Sequence, residues 1–228
     1  MVLIKICGIT NLADAEAAVE AGAGALGFNF YRRSPRYIAP IAARQISARL
    51  PSSVLTVGVF VNEPEPAIVA QIADEAGVAV VQLHGAESPA YCATLAGRTV
   101  IKALRVGAEF TPEVAMSYDT HAIMLDSFSP QAHGGTGLVF DWTLARRTRE
   151  LVPRLFLAGG LTAENVGAAI EFVRPFAVDV CSGVEAAPGQ KDLSRLRAFI
   201  AAVQATTVAM QRPLSPDLLA DVPEGKLT

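Results

Sequence analysis

Two side chains in this chain could transfer protons, and each of them ends a short apolar run. Cys7 closes "VLIKIC" at residues 2–7, and Asp126 closes "HAIMLD" at residues 121–126. A thiolate can accept a proton as a general base, and a protonated carboxyl can donate one as a general acid. Alone, Cys7 could be a small packing residue and Asp126 a helix cap or ion-pair partner. Together they indicate acid–base catalysis.

Lys5 lies two residues before Cys7, so on a strand both side chains point to the same face. Burying a lysine beside a cysteine is costly unless the charge has a partner or a use. A nearby cation lowers the pKa of a thiol and favours the thiolate. We expect Asp179, in "VDVC", to be the counter-charge of Lys5 if the last strand pairs with the first. If Asp179 fully neutralises Lys5, the effect on Cys7 is small, and the sequence leaves both outcomes open.

Two glycine-bearing turns could bind a phosphate group. The segments "LAGGLTAENV" and "VDVCSGVE" each run from an apolar strand through glycine into a further segment, which exposes backbone N–H groups. The candidate residues are Gly159, Gly160, Ser182 and Gly183. The structural alternative is that these turns only need the backbone freedom of glycine.

A basic loop and a glycine-rich loop supply further candidates. The loop "YRRSPRY" at residues 31–37 carries three arginines, and a solvated loop is its ordinary explanation. A guanidinium held beside a proline, as Arg36 is, can instead bind a carboxylate through two hydrogen bonds. The segment "SPQAHGGTGLVFDW" at residues 129–142 follows Asp126 and is suited to covering a ligand.

The elements that must position these residues alternate regularly along the chain. Strands are predicted at residues 2–7, 25–30, 54–60, 78–83, 99–104, 121–126, 154–159 and 176–181. Helices are predicted at 11–22, 40–49, 64–76, 87–96, 111–118, 141–150, 163–173 and 192–206. This alternation predicts an α/β fold, a single (β/α)8 TIM barrel over residues 1–206, with active-site residues at the C-terminal ends of its strands. An open doubly wound sheet is the rival, but its dinucleotide-binding fingerprint is missing after the first strand.

The composition argues against several other classes of protein. The chain of 228 residues is 51% hydrophobic and has a net charge of −3 without a basic block, which disfavours disorder and nucleic-acid binding. No run reaches the roughly 18 apolar residues of a membrane span, and the N-terminus lacks the pattern of a signal peptide. Three cysteines favour free thiols and a cytoplasmic location. Residues 207–228, with three prolines, are predicted to form a flexible C-terminal extension.

Seven segments of the chain, in order, resemble the signature segments of the phosphoribosylanthranilate isomerase family. They are "KICGIT", "SPRY", "VGVFVN", "VQLHG", "GGTGLVFDW", "LAGGLTAENV" and "VDVCSGVEAAPGQKD", and the resemblance covers about residues 3–204. It implies the Amadori rearrangement of N-(5-phosphoribosyl)anthranilate in tryptophan biosynthesis, with neither metal nor organic cofactor. It also implies that Cys7 is the general base and Asp126 the general acid.

The resemblance implies the substrate-binding residues as well. Arg36 would bind the anthranilate carboxylate, and the two glycine turns would hold the phosphate. Gln82 and His84, in "QLHG", could contact substrate or only brace the loop, and Asp179 is grouped with the substrate-binding residues. Two positions depart from the family pattern, because Cys181 stands where relatives often carry serine and Asn29 where an apolar residue is commoner.

The sequence leaves several alternatives open. A metal-dependent phosphosugar epimerase would need paired histidines and aspartates at strand ends, which this chain lacks, whereas a lysine-centred phosphosugar synthase or aldolase could use Lys5 or Lys102 as a Schiff-base former. Another phosphosugar barrel isomerase, or a broader one that also accepts the related histidine-pathway substrate, is a further alternative. A barrel retained as a scaffold would have no reason to keep Cys7, Asp126 and Arg36 together. The three histidines do not form a spaced ligand set, so no metal is expected. The expected partner is a small phosphosugar, with neither nucleic acid nor membrane, and the expected state is a monomer or weak homo-oligomer.

Overall fold

The computed structural model of the chain describes residues 1–127 and 142–211. Eight parallel strands form a closed barrel in which each strand pairs with the next and the last pairs with the first. They are β1 (Leu3–Cys7), β2 (Ala25–Asn29), β3 (Leu55–Phe60), β4 (Val80–Leu83), β5 (Thr99–Val106), β6 (Ala122–Ser127), β7 (Leu155–Ala158) and β8 (Ala177–Val180). The predicted (β/α)8 TIM barrel is confirmed.

Helices cover the outside of the barrel. They are α1 (Leu12–Ala21), α2 (Pro40–Ser47), α3 (Pro66–Ala76), α4 (Pro89–Ala93), α5 (Trp142–Leu151), α6 (Val166–Val173) and α7 (Leu193–Gln211). A 3-10 helix, Pro112–Ser117, stands where the sequence predicts an α-helix at 111–118. 3-10 turns are frequent in the short connections between elements, and this one runs for six residues. No helix in the two described ranges is both long and apolar enough to cross a membrane.

The last helix, α7, is longer than predicted. It continues to Gln211 rather than ending at residue 206. Within this added stretch Thr207 is buried, and its hydroxyl donates a hydrogen bond to the carbonyl of Val203 at 2.8 Å. The first part of the predicted extension therefore continues the helix that packs against α1 and α6. Residues 212–228 lie outside the described residues.

The two faces of each strand pack into two different apolar clusters. On β1, Ile4 and Ile6 pack in the layer between barrel and helices, whereas Leu3 packs against the apolar cluster inside the barrel. Because side chains alternate along a strand, Lys5 and Cys7 share the inner face with Leu3. A short hairpin follows β8, formed by β9 (Glu185–Ala187) and β10 (Gln190–Lys191), and it lies over the junction between the first and last strands.

Candidate active site

Cys7 and Lys5 point into the barrel and lie against the same neighbouring residue, Gly27 of β2. A Cβ atom placed on Gly27 would lie 2.8 Å from Cys7 Sγ and 2.9 Å from Lys5 Nζ. Only glycine at this position leaves room for both side chains. The prediction that Lys5 and Cys7 share a face is confirmed.

Asp179 is the counter-charge of Lys5, as the sequence predicts. β1 and β8 pair in register, with Lys5 opposite Asp179, and Lys5 Nζ lies 2.7 Å from Asp179 Oδ1. Lys5 is completely buried and Asp179 nearly so. Burial and the negative charge of Cys7 raise the pKa of Asp179 to about 6, although Lys5 opposes this change. Burial disfavours the charged form of Lys5, but Asp179 and Cys7 outweigh it, so the pKa of Lys5 is raised.

The ion pair with Asp179 does not isolate Lys5 from Cys7, because the Cys7 side chain lies beside Lys5 over Gly27 and helps to raise the pKa of Lys5. The hydrogen bond from Cys181, first, and then the charge of Lys5 hold the pKa of the Cys7 thiol well below its usual range. Burial works in the opposite direction and is overcome. The question left open by the sequence is answered: Cys7 lies in a pocket that favours its thiolate, and Lys5 contributes to it.

Lys191 and Glu185 belong to this site, although the sequence analysis did not single them out. The ammonium of Lys191 is buried and donates to the carbonyl oxygen of Cys7 at 2.6 Å and to Glu185 Oε1 at 3.1 Å. Its charge lowers the pKa of Cys7 further. Both residues sit on the short hairpin after β8 and occur in the quoted segment "VDVCSGVEAAPGQKD". That segment was the only signal for them.

Arg36 reaches the same side of the site and is held there by Glu185. Its Nε donates to both carboxylate oxygens at 2.9 and 3.0 Å, and its Nη2 donates to Oε2 at 2.6 Å. The Arg36 side chain is 23% exposed, so part of the guanidinium faces the barrel mouth. The carboxylate that Arg36 contacts in the structure is that of Glu185, and the predicted contact with the anthranilate carboxylate stays a prediction.

Asp126 ends a chain of hydrogen bonds that begins at Gln82. Gln82 Nε2 lies 2.8 Å from His84 Nδ1, and His84 Nε2 lies 3.0 Å from Asp126 Oδ2. With the Gln82 amide donating to Nδ1, the ring proton sits on Nε2 and points at Asp126. Gln82 is fully buried, whereas Asp126 is part-exposed at the mouth. Gln82 and His84 therefore fix the orientation of the Asp126 carboxyl group.

The two glycine turns lie side by side at the ends of β7 and β8. Gly159 and Gly160 have φ values of 89° and 64°, which L-residues with a side chain adopt with strain. A Cβ on Gly183 would collide with the carbonyl oxygen of Leu161, so the turn after β8 packs directly on the turn after β7. A Cβ on Gly160 would meet nothing within 4 Å, so this turn borders open space. Ser182 begins the 3-10 helix that carries Gly183.

The predicted site residues lie at the C-terminal end of the barrel. Strand ends, or positions close to them, hold Cys7, Gln82, His84, Asp126 and Asp179. The glycine-rich loop at residues 129–142, predicted to cover a ligand, falls almost entirely outside the described residues.

Lys102, the other lysine considered as a Schiff-base former, is occupied elsewhere. It is buried between β5 and the loop after β4, where its Nζ lies 2.7 Å from Glu87 Oε2 and 2.7 Å from the carbonyl oxygen of Gly85. The carbonyl oxygen of Leu83 adds a third contact at 3.3 Å. An ammonium held by three oxygens and away from the barrel interior is not placed to attack a substrate carbonyl.

Comparison with known proteins identifies the relatives of this chain. The family model for N-(5'phosphoribosyl)anthranilate (PRA) isomerase matches residues 4–202. The N-(5'-phosphoribosyl)anthranilate isomerase of Pelobacter propionicus is 53% identical over 200 residues, which are 88% of this chain and 94% of the relative. That of Thermotoga maritima is 51% identical over 201 residues, which are 88% of this chain and 97% of the relative.

Solved structures agree in fold. The crystal structure of phosphoribosyl anthranilate isomerase from Thermotoga maritima has a TM-score of 0.82 and 47% identity, covering 90% of this chain and 100% of that one. Another phosphoribosyl anthranilate isomerase, crystallised with reduced 1-(o-carboxyphenylamino)-1-deoxyribulose 5-phosphate, has a TM-score of 0.79 and 44% identity over the same shares. The resemblance seen in the sequence is confirmed, and the chain belongs to the N-(5'-phosphoribosyl)anthranilate isomerase family.

Proposed function

We propose that this chain converts N-(5-phosphoribosyl)anthranilate into 1-(2-carboxyphenylamino)-1-deoxyribulose 5-phosphate, the reaction of its family, in tryptophan biosynthesis. The observation that carries the proposal is the half-buried Cys7, set among Lys5, Lys191 and Cys181 at the barrel mouth. A thiolate stabilised at a strand end is suited to taking a proton from carbon. Asp126, at the end of β6, supplies the complementary acid.

The reaction needs two proton transfers, one from Asp126 and one to Cys7. Asp126 donates its proton to the ring oxygen as the C1′–O bond of the furanose breaks, which leaves a protonated Schiff base between C1′ and the anthranilate nitrogen. The Cys7 thiolate then removes the C2′ proton, and the C–H electrons form the C1′–C2′ double bond of an enolamine. Tautomerisation of the enolamine gives the ketone. His84 holds Asp126 in position through the 3.0 Å hydrogen bond.

Arg36 and the two glycine turns bind the ends of the substrate. Glu185 accepts hydrogen bonds from Nε and Nη2 of Arg36, so we assign Nη1 to the anthranilate carboxylate. The backbone N–H groups of the turns bind the phosphate, in the loops after the seventh and eighth strands where barrel enzymes commonly hold one. These are Gly159, Gly160, Ser182 and Gly183. A relative carries a ligand with both a carboxyphenyl group and a 5-phosphate, which supports these two subsites.

Asp179, Gln82 and His84 act on other protein groups in this proposal. Asp179 holds Lys5 beside Cys7, and Gln82 and His84 hold Asp126. The proposed reaction needs neither metal nor organic cofactor, because one acid and one base complete it.

We also propose a cytoplasmic location and a monomer or weak homo-oligomer. The described cysteines are all free thiols, which suits a reducing compartment. A Thermotoga maritima relative is described as a dimeric enzyme from which monomers were generated. Analytical ultracentrifugation over a hundredfold range of protein concentration distinguishes a monomer from a tight dimer.

The direct test is the loss of fluorescence of freshly made phosphoribosylanthranilate with wild type, Cys7→Ala and Asp126→Asn. We expect kcat to fall about 10²–10⁴-fold in each variant, the usual contribution of a general base or acid. Cys92→Ala is the matched control, because Cys92 is buried in α4 away from the barrel mouth. Near-normal turnover by Cys7→Ala would contradict the role of Cys7, and a wild type inactive on this substrate would contradict the proposed reaction.

A further inference from the structure

Cys181 lies opposite Cys7 where the first and last strands of the barrel meet. The register pairs Lys5 with Asp179 and Ile6 with Val180, and the next position on each chain is a cysteine. Neighbouring strands lie about 4.8 Å apart. Disulfide-bonded cysteines have Cα atoms about 4.4–6.8 Å apart. The backbone therefore places these two residues within the range that a disulfide requires.

The two cysteine side chains are close enough to affect each other's pKa. The ammonium of Lys191 lies 2.6 Å from the carbonyl oxygen of Cys7 and 3.5 Å from that of Cys181, and both cysteines are partly exposed to solvent. Cys181 Sγ also lies 3.6 Å from Glu185 Oε1 and would be 2.9 Å from a Cβ placed on Gly8. Gly8 thus leaves space for Cys181 at the end of β1.

The surroundings of the two thiols favour different protonation states. The Cys181 hydrogen bond and the Lys5 charge favour the thiolate of Cys7, whereas that hydrogen bond and burial raise the pKa of Cys181 and keep it protonated. Thiolates react with peroxides far more readily than thiols do. A low-pKa cysteine beside a second cysteine is the arrangement found where sulfenic acids are resolved as disulfides.

We propose that Cys7 and Cys181 form a reversible redox pair, oxidised by hydrogen peroxide or an organic hydroperoxide and reduced by a dithiol. The Cys7 sulfur attacks one peroxide oxygen, the O–O bond breaks, and hydroxide (or alkoxide) leaves, so that Cys7 becomes a sulfenic acid. Cys181 Sγ then attacks the Cys7 sulfur, the S–O bond breaks, and hydroxide departs with the Cys181 proton as water. The two cysteines lose two electrons, and the peroxide gains them.

The disulfide would remove the thiolate of Cys7 and so switch the enzyme off. This loss of activity rests on the proposed role of Cys7 as the base, whereas formation of the disulfide does not. The same pair would protect Cys7, because a sulfenic acid captured as a disulfide is not oxidised further to the irreversible sulfinic acid.

The test treats the full chain with hydrogen peroxide, blocks free thiols with iodoacetamide and maps tryptic peptides without reduction. Wild type should yield a peptide linking Cys7 to Cys181, lose about 100-fold or more of its activity when fully linked, and recover after dithiothreitol. Cys181→Ser should yield no link and should accumulate Cys7 sulfinic acid that dithiothreitol does not reverse. Each activity is compared with that of the same untreated variant, and Cys92→Ser serves as the control that should behave as wild type.

The outcomes separate this proposal from the proposed function. Absence of the linked peptide in wild type, or equal recovery of Cys181→Ser after dithiothreitol, would overturn the redox pair. A linked peptide with undiminished activity would establish the pair and instead overturn the role of Cys7 as the base.

Discussion

Two buried lysines, Lys5 and Lys102, are alike in almost every local respect. Each lies on a barrel strand, each is 1% exposed or less, and each ammonium lies 2.7 Å from a carboxylate oxygen. Lys5 faces the barrel interior, and Lys102 lies in the outer layer beside the loop after β4. The ion pair alone does not distinguish them.

What distinguishes them is the rest of the contacts of each ammonium. An ammonium has three N–H donors. Lys102 directs them to Glu87 and two backbone carbonyl oxygens, which fix the loop after β4. Lys5 contacts one carboxylate oxygen of Asp179, and its charge lowers the pKa of the neighbouring Cys7 thiol. A buried cation whose donors all meet oxygen stabilises structure, whereas one that shares its charge with a titratable thiol changes the chemistry of that thiol.

Lys102→Met should have the largest effect of the three variants, and the effect should be on stability. It leaves Glu87 buried without its counter-charge, so we expect the free energy of unfolding to fall by about 3–5 kcal/mol, the usual cost of breaking a buried pair. Urea unfolding measures the loss. The pH profile of kcat/KM should keep its wild-type shape, and a displaced profile would contradict the purely structural role of Lys102.

Lys5→Met should act on chemistry, in addition to a loss of stability similar to that of Lys102→Met, because it leaves Asp179 buried without its counter-charge. Without the cation the pKa of Cys7 rises, so less of the thiol is ionised at pH 7. We expect kcat/KM at that pH to fall about 10–100-fold, which corresponds to a rise of about one to two pKa units. The loss should diminish as the pH rises, because the thiol then ionises without help. Rates of iodoacetamide alkylation at Cys7 against pH should shift in the same direction. Profiles that superimpose on those of wild type would show that Lys5 does not affect the pKa of Cys7. Lys102→Met is the matched control.

Asp179→Asn should have the smallest effect of the three variants, and it should lower the pKa of Cys7 rather than raise it. One of the two anions that share Lys5 is removed, so the pKa of Cys7 should fall by less than about one unit. In wild type, the pKa of Asp179 at about 6 predicts an inflection near that pH, which the variant should lack. An alkylation profile displaced upwards instead would mean that Asp179 helps the thiolate by orienting Lys5.

The sequence predicts only part of the difference between the two lysines. Alternation along β1 predicted that Lys5 and Cys7 share a face, and closure of the barrel predicted Asp179 as the partner, because both depend on regular geometry. The partners of Lys102 lie in an irregular loop, where no periodicity reports on contacts. Lys191 and Glu185 were missed for the same reason, since they reach Cys7 and Arg36 through a hairpin of three- and two-residue strands.

The hairpin after β8 makes the assembly of the site depend on the order in which the chain folds. The Lys5–Asp179 ion pair spans 174 positions of sequence, and the Lys191–Cys7 hydrogen bond spans 184. Contacts between such distant positions require closure of a very long loop, which slows their formation. A chain emerging from the ribosome therefore carries Cys7 without the cation of Lys191 until nearly all of the barrel has been synthesised. A chain that still lacks the hairpin therefore lacks the buried ammonium of Lys191 that lowers the pKa of Cys7.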